Sequence, residues 1–90
     1  MAKLSQSPGD YLKKSREAQD LSQLEVSKKL GYNTAQFISN WERDRSLPPI
    51  NVLKKIARLY KVDPQDLFQI FMDQKVKIYK AELQRLFKRA

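Results

Sequence analysis

Ninety residues with two glycines and four prolines make one small domain, with room for a modest core and none for a cleft between two domains. Eighteen Lys and Arg against ten Asp and Glu give a net charge of +8, a balance that favours polyanions but equally marks an ordinary soluble basic protein. With neither His nor Cys in the chain, zinc fingers, disulfide staples, thiol chemistry and histidine general bases are all excluded.

The charge surplus is uneven: beyond Ser46 there are ten basic and four acidic residues, against eight and six before it. Few turn-forming residues and few alternating apolar or β-branched runs predict an all-α fold. The first ten residues, MAKLSQSPGD, lack the apolar core of a signal peptide. No apolar run approaches the roughly 18 residues of a membrane span. The expected location is therefore cytoplasmic, with no membrane partner.

Ser7-Pro8-Gly9-Asp10 combines a capping hydroxyl, a proline at the first helical position and an acid three residues after the serine. A first helix is predicted from about Pro8 to Gln19. Ser22 and Glu25 repeat the capping spacing and Gly31 is suited to end a helix, so Ser22 to Leu30 forms a short second one. Asn33, three residues before Gln36, is a plausible cap for a third helix running to Asp44. Pro48 and Pro49 stop that helix and open a fourth, with Ile50, Leu53, Ile56 or Ala57, and Tyr60 at helical spacing. Asp63-Pro64-Gln65-Asp66 caps a fifth. No Gly or Pro follows Pro64, so residues 64 to 90 form one continuous helix or two joined by a bend.

On a wheel of about 100° per residue, Phe37, Ile38 and Trp41 fill one arc of the third helix and read as core. Asn33, Gln36, Asn40 and Arg43 fill the other. Asn and Gln carry a donor and an acceptor side by side, matching the N6 and N7 edge of adenine, and an α-helix fits the major groove. An arginine at the far end can meet a phosphate. A short helix, a tight turn and a helix with an exposed amide face are the layout of a helix-turn-helix. Gln36 is alternatively the partner of Asn33 in a capping box, and Asn40 a solvated polar residue. Lys28, Lys29, Lys54 and Lys55 read as solvated helix faces.

The stretches LSQLEVSKKLG, QFISNWERDRSLPP and LKKIARLYKVDPQDLF resemble the Cro/CI-type, lambda-repressor-like (Xre-like) helix-turn-helix family over about residues 8 to 71, with Gln23, Ser27, Gly31, Ile38 and Glu42 in pattern. The resemblance implies a five-helix domain that binds operator DNA, usually as a two-fold dimer. It implies a phosphate contact for Gln23 at the start of the second helix, base reading by Gln36 and Asn40, and backbone clamps at Arg43 and Arg45. Asn33, Thr34 and Ala35 join the candidate DNA-binding residues. Arg16 and Glu42 are implied to form a structural ion pair between the first helix and the end of the third. No nucleophile, second carboxylate or metal cluster accompanies them, so no catalytic residue is expected.

Three departures stand out. Ile38 lies one residue further from Gly31 than the family spacing, which lengthens the turn. Asp20 and Asp44 stand where the family commonly has glycine, and Asp tolerates the left-handed conformation better than most residues. Asp44 also brings a negative charge close to the expected phosphates.

Leu67, Ile70 and Phe71 share a face that completes the core. From Met72 the apolar positions move round the helix by over 100° and settle at Met72, Val76, Tyr79, Leu83, Leu86 and Ala90, the a/d rhythm of a coiled-coil seam. The alternatives are a helix packed back on its own domain or a basic amphipathic helix on a membrane, which Asp73 and Glu82 interrupt. The chain thus divides into a DNA-binding domain, residues 1–71, and an amphipathic helix, residues 72–90, as a dimerisation element. The expected protein is a nucleoid-associated transcriptional regulator, a repressor, that binds double-stranded DNA as a homodimer. It needs no cofactor, metal or small-molecule ligand and has no enzymatic activity. The reading from another class is a protein-interaction module, such as an antitoxin or adaptor, that uses the last helix to grip a different protein.

Overall fold

The computed structural model describes residues 6–89. They form five helices and no strand: α1 (Pro8–Ala18), α2 (Gln23–Lys29), α3 (Gln36–Glu42), α4 (Ile50–Tyr60) and α5 (Pro64–Arg89). The fold is the all-α, lambda-repressor-like arrangement.

Local chemistry sets the helix starts. The Ser7 hydroxyl accepts from the Asp10 N–H at 3.0 Å, with Pro8 in the first turn of α1. At α2 the exchange is reciprocal. Ser22 Oγ accepts from the Glu25 N–H at 3.0 Å, and the Glu25 carboxylate accepts from the Ser22 N–H at 2.8 Å. That backbone donor is the main cause holding the Glu25 carboxyl below its usual range. Asp63 Oδ1 accepts from the Gln65 N–H at 2.8 Å at the head of α5.

The third helix departs from expectation. Asn33 does not cap it: Ala35 occupies the cap position without a side-chain bond, and Thr34 Oγ1 accepts from the Gln36 N–H at 3.2 Å. The extra turn residue places Thr34, not Asn33, within reach of the first helical N–H. α3 is therefore seven residues long, shorter than the 33–44 span predicted.

Four helices end alike. Asp20, Gly31, Asp44 and Lys61 take φ of 56°, 91°, 58° and 55°. The next N–H in each case returns to a carbonyl five residues back: Leu21 to Arg16, Tyr32 to Ser27, Arg45 to Asn40 and Val62 to Ala57. This is the Schellman geometry, which satisfies carbonyls the helix leaves unpaired. Lys61 joins Asp20, Gly31 and Asp44 without any glycine-like cue in the sequence. Leu21, Tyr32 and Val62 then fold onto the core.

The core gathers Leu12 of α1, Val26 of α2 with Leu30 just beyond it, Ile38 and Trp41 of α3, the inner side of α4 from Val52 to Tyr60, and Leu67 and Phe71 of α5. Each fully buried aliphatic side chain contributes roughly 1.5–3 kcal/mol. One assignment to this core fails, and one residue of the α4 stripe lies outside it. Phe37 is 51 % exposed: it sits at the edge of the apolar arc, where Ile38 and Trp41 close the core without it, and it leans on Tyr32 with ring centroids 4.7 Å apart. Ile50 is 57 % exposed because it lies in the first turn of α4, where no helix covers it.

α5 is one continuous helix of 26 residues, about 39 Å long. Its buried residues are Leu67 and Phe71, with Ile70 partly buried beside them. Beyond Phe71 nearly every described side chain is exposed.

Candidate nucleic-acid interface

The buried Arg16–Glu42 pair ties α1 to the end of α3. Arg16 Nε donates to Glu42 Oε2 at 2.6 Å and Nη2 to Oε1 at 3.0 Å, while Nη1 donates to the Leu21 carbonyl at 2.7 Å. The bond to Glu42 is the main cause raising the Arg16 pKa, with desolvation opposing it. Breaking such a pair leaves a buried charge uncompensated, at a cost of roughly 3–5 kcal/mol. Tyr60 lies against the pair. Burial, then the Glu42 charge, raises its phenol pKa, with Arg16 pulling the other way. Among the described residues no buried side-chain N or O atom lacks a hydrogen-bond partner.

Gln23, in the first turn of α2, joins the same network. Its Nε2 donates to Glu42 Oε1 at 3.0 Å, so the amide is already oriented by α3. The buried Ser27 hydroxyl donates to the Thr34 carbonyl, fixing the turn between α2 and α3. Only a small side chain fits there, since Ser27 is fully buried. The Gln23–Glu42 bond and the Ser27 hydroxyl thus hold α2 and α3 at a set angle.

On the outer side of α3, Gln36 Nε2 donates to Asn40 Oδ1 at 3.2 Å, one helical turn on. Gln36 is exposed and Asn40 half-buried. Asn33 and Thr34 are exposed in the preceding turn, and Ala35 is half-buried. Arg43 is exposed with Nη1 at 3.4 Å from Ser39 Oγ. Ser39, half-buried, shares the arc of Gln36, Asn40 and Arg43, and the sequence reading passed it over because a lone serine carries no amide signature. Phe37 borders the same surface, and its exposure was masked by its apolar type.

Arg45 occupies the Schellman position that Leu21, Tyr32 and Val62 fill elsewhere with apolar side chains. Here the side chain is exposed. Asp44 between the two arginines is engaged: its Oδ1 accepts from the Gly9 N–H at 2.8 Å, so the carboxylate caps α1, where a helix N-terminus favours an anion. The sequence reading set this charge against the phosphates and missed that it already serves α1.

The chain belongs to the helix-turn-helix family of the Cro/CI type, whose model matches residues 12–67, from α1 into α5. That membership makes it a DNA-binding transcription regulator. No curated protein and no solved structure matches it. The family is a DNA-binding regulatory one rather than an enzymatic one. Among the described residues no group of acidic side chains is placed to hold a metal ion, and no helix is long and apolar enough to cross a membrane.

Proposed function

We propose that this chain is a transcriptional repressor that binds a two-fold operator as a homodimer, with α3 in the major groove. The observation that carries the reading is the amide pair Gln36 and Asn40, facing outward on a helix whose opposite side is buried. The bond between them restricts both rotamers before DNA arrives and leaves the Gln36 carbonyl and the Asn40 amino group for a base edge. Thr34, Ala35 and Asn33 flank them from the turn. Gln23 is positioned by Glu42 to offer its remaining amide hydrogen to a phosphate, and Arg43 and Arg45 clamp the backbone on the other side. Repression needs only that such a dimer occupy a site overlapping a promoter.

Gln36→Ala and Asn40→Ala test this on a cognate site selected from randomised duplexes. Each should lose roughly 1–3 kcal/mol there and almost nothing on random DNA, because base contacts discriminate and phosphate contacts do not. The double variant should lose less than the sum, since each amide supports the other. Equal losses on both DNAs defeat the assignment.

The reading as an antitoxin or adaptor draws on one observation, the exposed apolar side of α5 from Met72 onward. We place a second copy of the chain there instead, through Met72, Val76, Tyr79, Leu83 and Leu86, because two recognition helices must be joined to read successive grooves.

A further inference from the structure

We propose that α5 pairs with α5 of a second copy in antiparallel orientation, in the register that sets Lys75 against the partner's Glu82 and Lys80 against the partner's Asp73. It rests on the homodimer proposed for this helix and specifies its geometry.

From Met72 five exposed apolar residues, Met72, Val76, Tyr79, Leu83 and Leu86, fall at intervals of four and three, the d and a positions of a heptad, while the exposed Ile78 and Phe87 stand off that line at c and e. Tyr79 is the most open of the five, at 65 %. The stripe does not end at the tail. It runs into a groove floored by Phe68 and Phe71 and walled by Leu47, Pro48 and the exposed Ile50. A single apolar surface thus joins the projecting helix to the body of the domain, and a helix laid along it would cover both parts.

The charges beside the stripe identify the occupant and its direction. One flank carries Lys75 and Glu82 at g positions, the other Asp73 and Lys80 at e positions. A parallel pair sets each g against the next e of its partner, which brings Lys75 to Lys80 twice and repels. An antiparallel pair sets g against g and e against e. With Val76 level with the partner's Tyr79, Lys75 lies two residues, about 3 Å, along the axis from the partner's Glu82. Lys80 lies equally close to the partner's Asp73, and two-fold symmetry doubles both pairs. Glu82 also holds Arg85 of its own helix, which leaves its second oxygen for Lys75. The same register puts the partner's Leu83 level with Met72 and the partner's Leu86 one turn beyond, beside Phe68 and the groove wall. The groove is filled by the far end of the very helix whose stripe it extends.

Two measurements test the arrangement. The chain has no cysteine, so a spin label at Lys88→Cys, off the seam, is unique. The antiparallel register places residue 88 level with position 67 of the partner, and the two labels should stand about 31 Å apart along the axis. A parallel pair would hold them at roughly the spacing of adjacent helices, about 10 Å. In sedimentation equilibrium, Lys75→Glu and Lys80→Glu should each weaken the dimer about tenfold, and Lys75→Glu with Glu82→Lys should restore it; helical circular dichroism confirms that each variant is folded. Tighter association on Lys75→Glu, or a short label distance, overturns the register while leaving a dimer. A wild-type chain that stays monomeric throughout overturns the register and the homodimer together.

Discussion

Gly9 lies inside α1, yet its α-carbon faces the backbone of α3. A Cβ there would come within 2.5 Å of the Glu42 carbonyl oxygen and 2.6 Å of that of Trp41, and neither is the end of a flexible side chain. In an exposed helix, alanine would gain about 1 kcal/mol over glycine. Here the close approach forces α1 away from α3 and lengthens the Gly9–Asp44 bond, and overpacking of this kind typically costs roughly 1–3 kcal/mol. Gly9→Ala should therefore lower the urea midpoint, with an unchanged slope; a midpoint at or above wild type would mean that α1 moves freely. The sequence showed Gly9 only as part of a helix start. Ser7, Ser22, Glu25, Gly31, Asp20 and Asp44 were legible because their partners or backbone angles are settled within a few residues. Phe37, Ile50 and the close approach at Gly9 were not, because each depends on what arrives from another part of the chain.

At the scale of the element, α3 and the loop after it are built to leave two arginines outward. The Schellman end fixes Arg45 through its N–H to the Asn40 carbonyl at 2.9 Å, and Asp44 ties the loop to α1. Arginines that clamp the DNA backbone, as proposed for these two, should act without regard to sequence. Arg43→Ala and Arg45→Ala should weaken cognate and random DNA alike, and each should make the salt dependence shallower by about one for every phosphate that is no longer neutralised. A titration series from low to moderate salt reads this directly, and an unchanged slope would show that these side chains do not neutralise phosphates. The amide face of α3 was legible from its periodicity, since one turn of a helix brings residues 36, 40 and 43 together whatever surrounds them. The start of α3 was not. Thr34 and Asn33 both offer a capping oxygen, and the longer turn decided between them.

Over the whole molecule, the question is where the folded unit stops. No side chain beyond Phe71 is buried among the described residues of α5, so residues 72–89 contribute no buried side chain to the core. The stripe that begins at Met72 was legible in the sequence as a change of face. The continuous helix that carries it followed from the lack of any Gly or Pro after Pro64, although the pattern alone left a bend open. If that helix joins two copies, its loss separates two recognition helices that must otherwise lie about 34 Å apart on one face of the duplex. Truncation after Phe71 should then give a monomer whose urea midpoint stays close to that of the dissociated full-length chain. Its affinity for a half-site should be unchanged, while its affinity for the full operator should fall by about 100-fold or more, the advantage that linking two modest sites confers. Val76→Asp with Leu83→Asp should reproduce the loss without shortening the chain. Light scattering coupled to gel filtration decides the case. A full-length chain that runs as a monomer at tens of micromolar, on the order of a weak-dimer affinity, would remove α5 as the link, as would a truncated chain that still binds the full operator at wild-type strength.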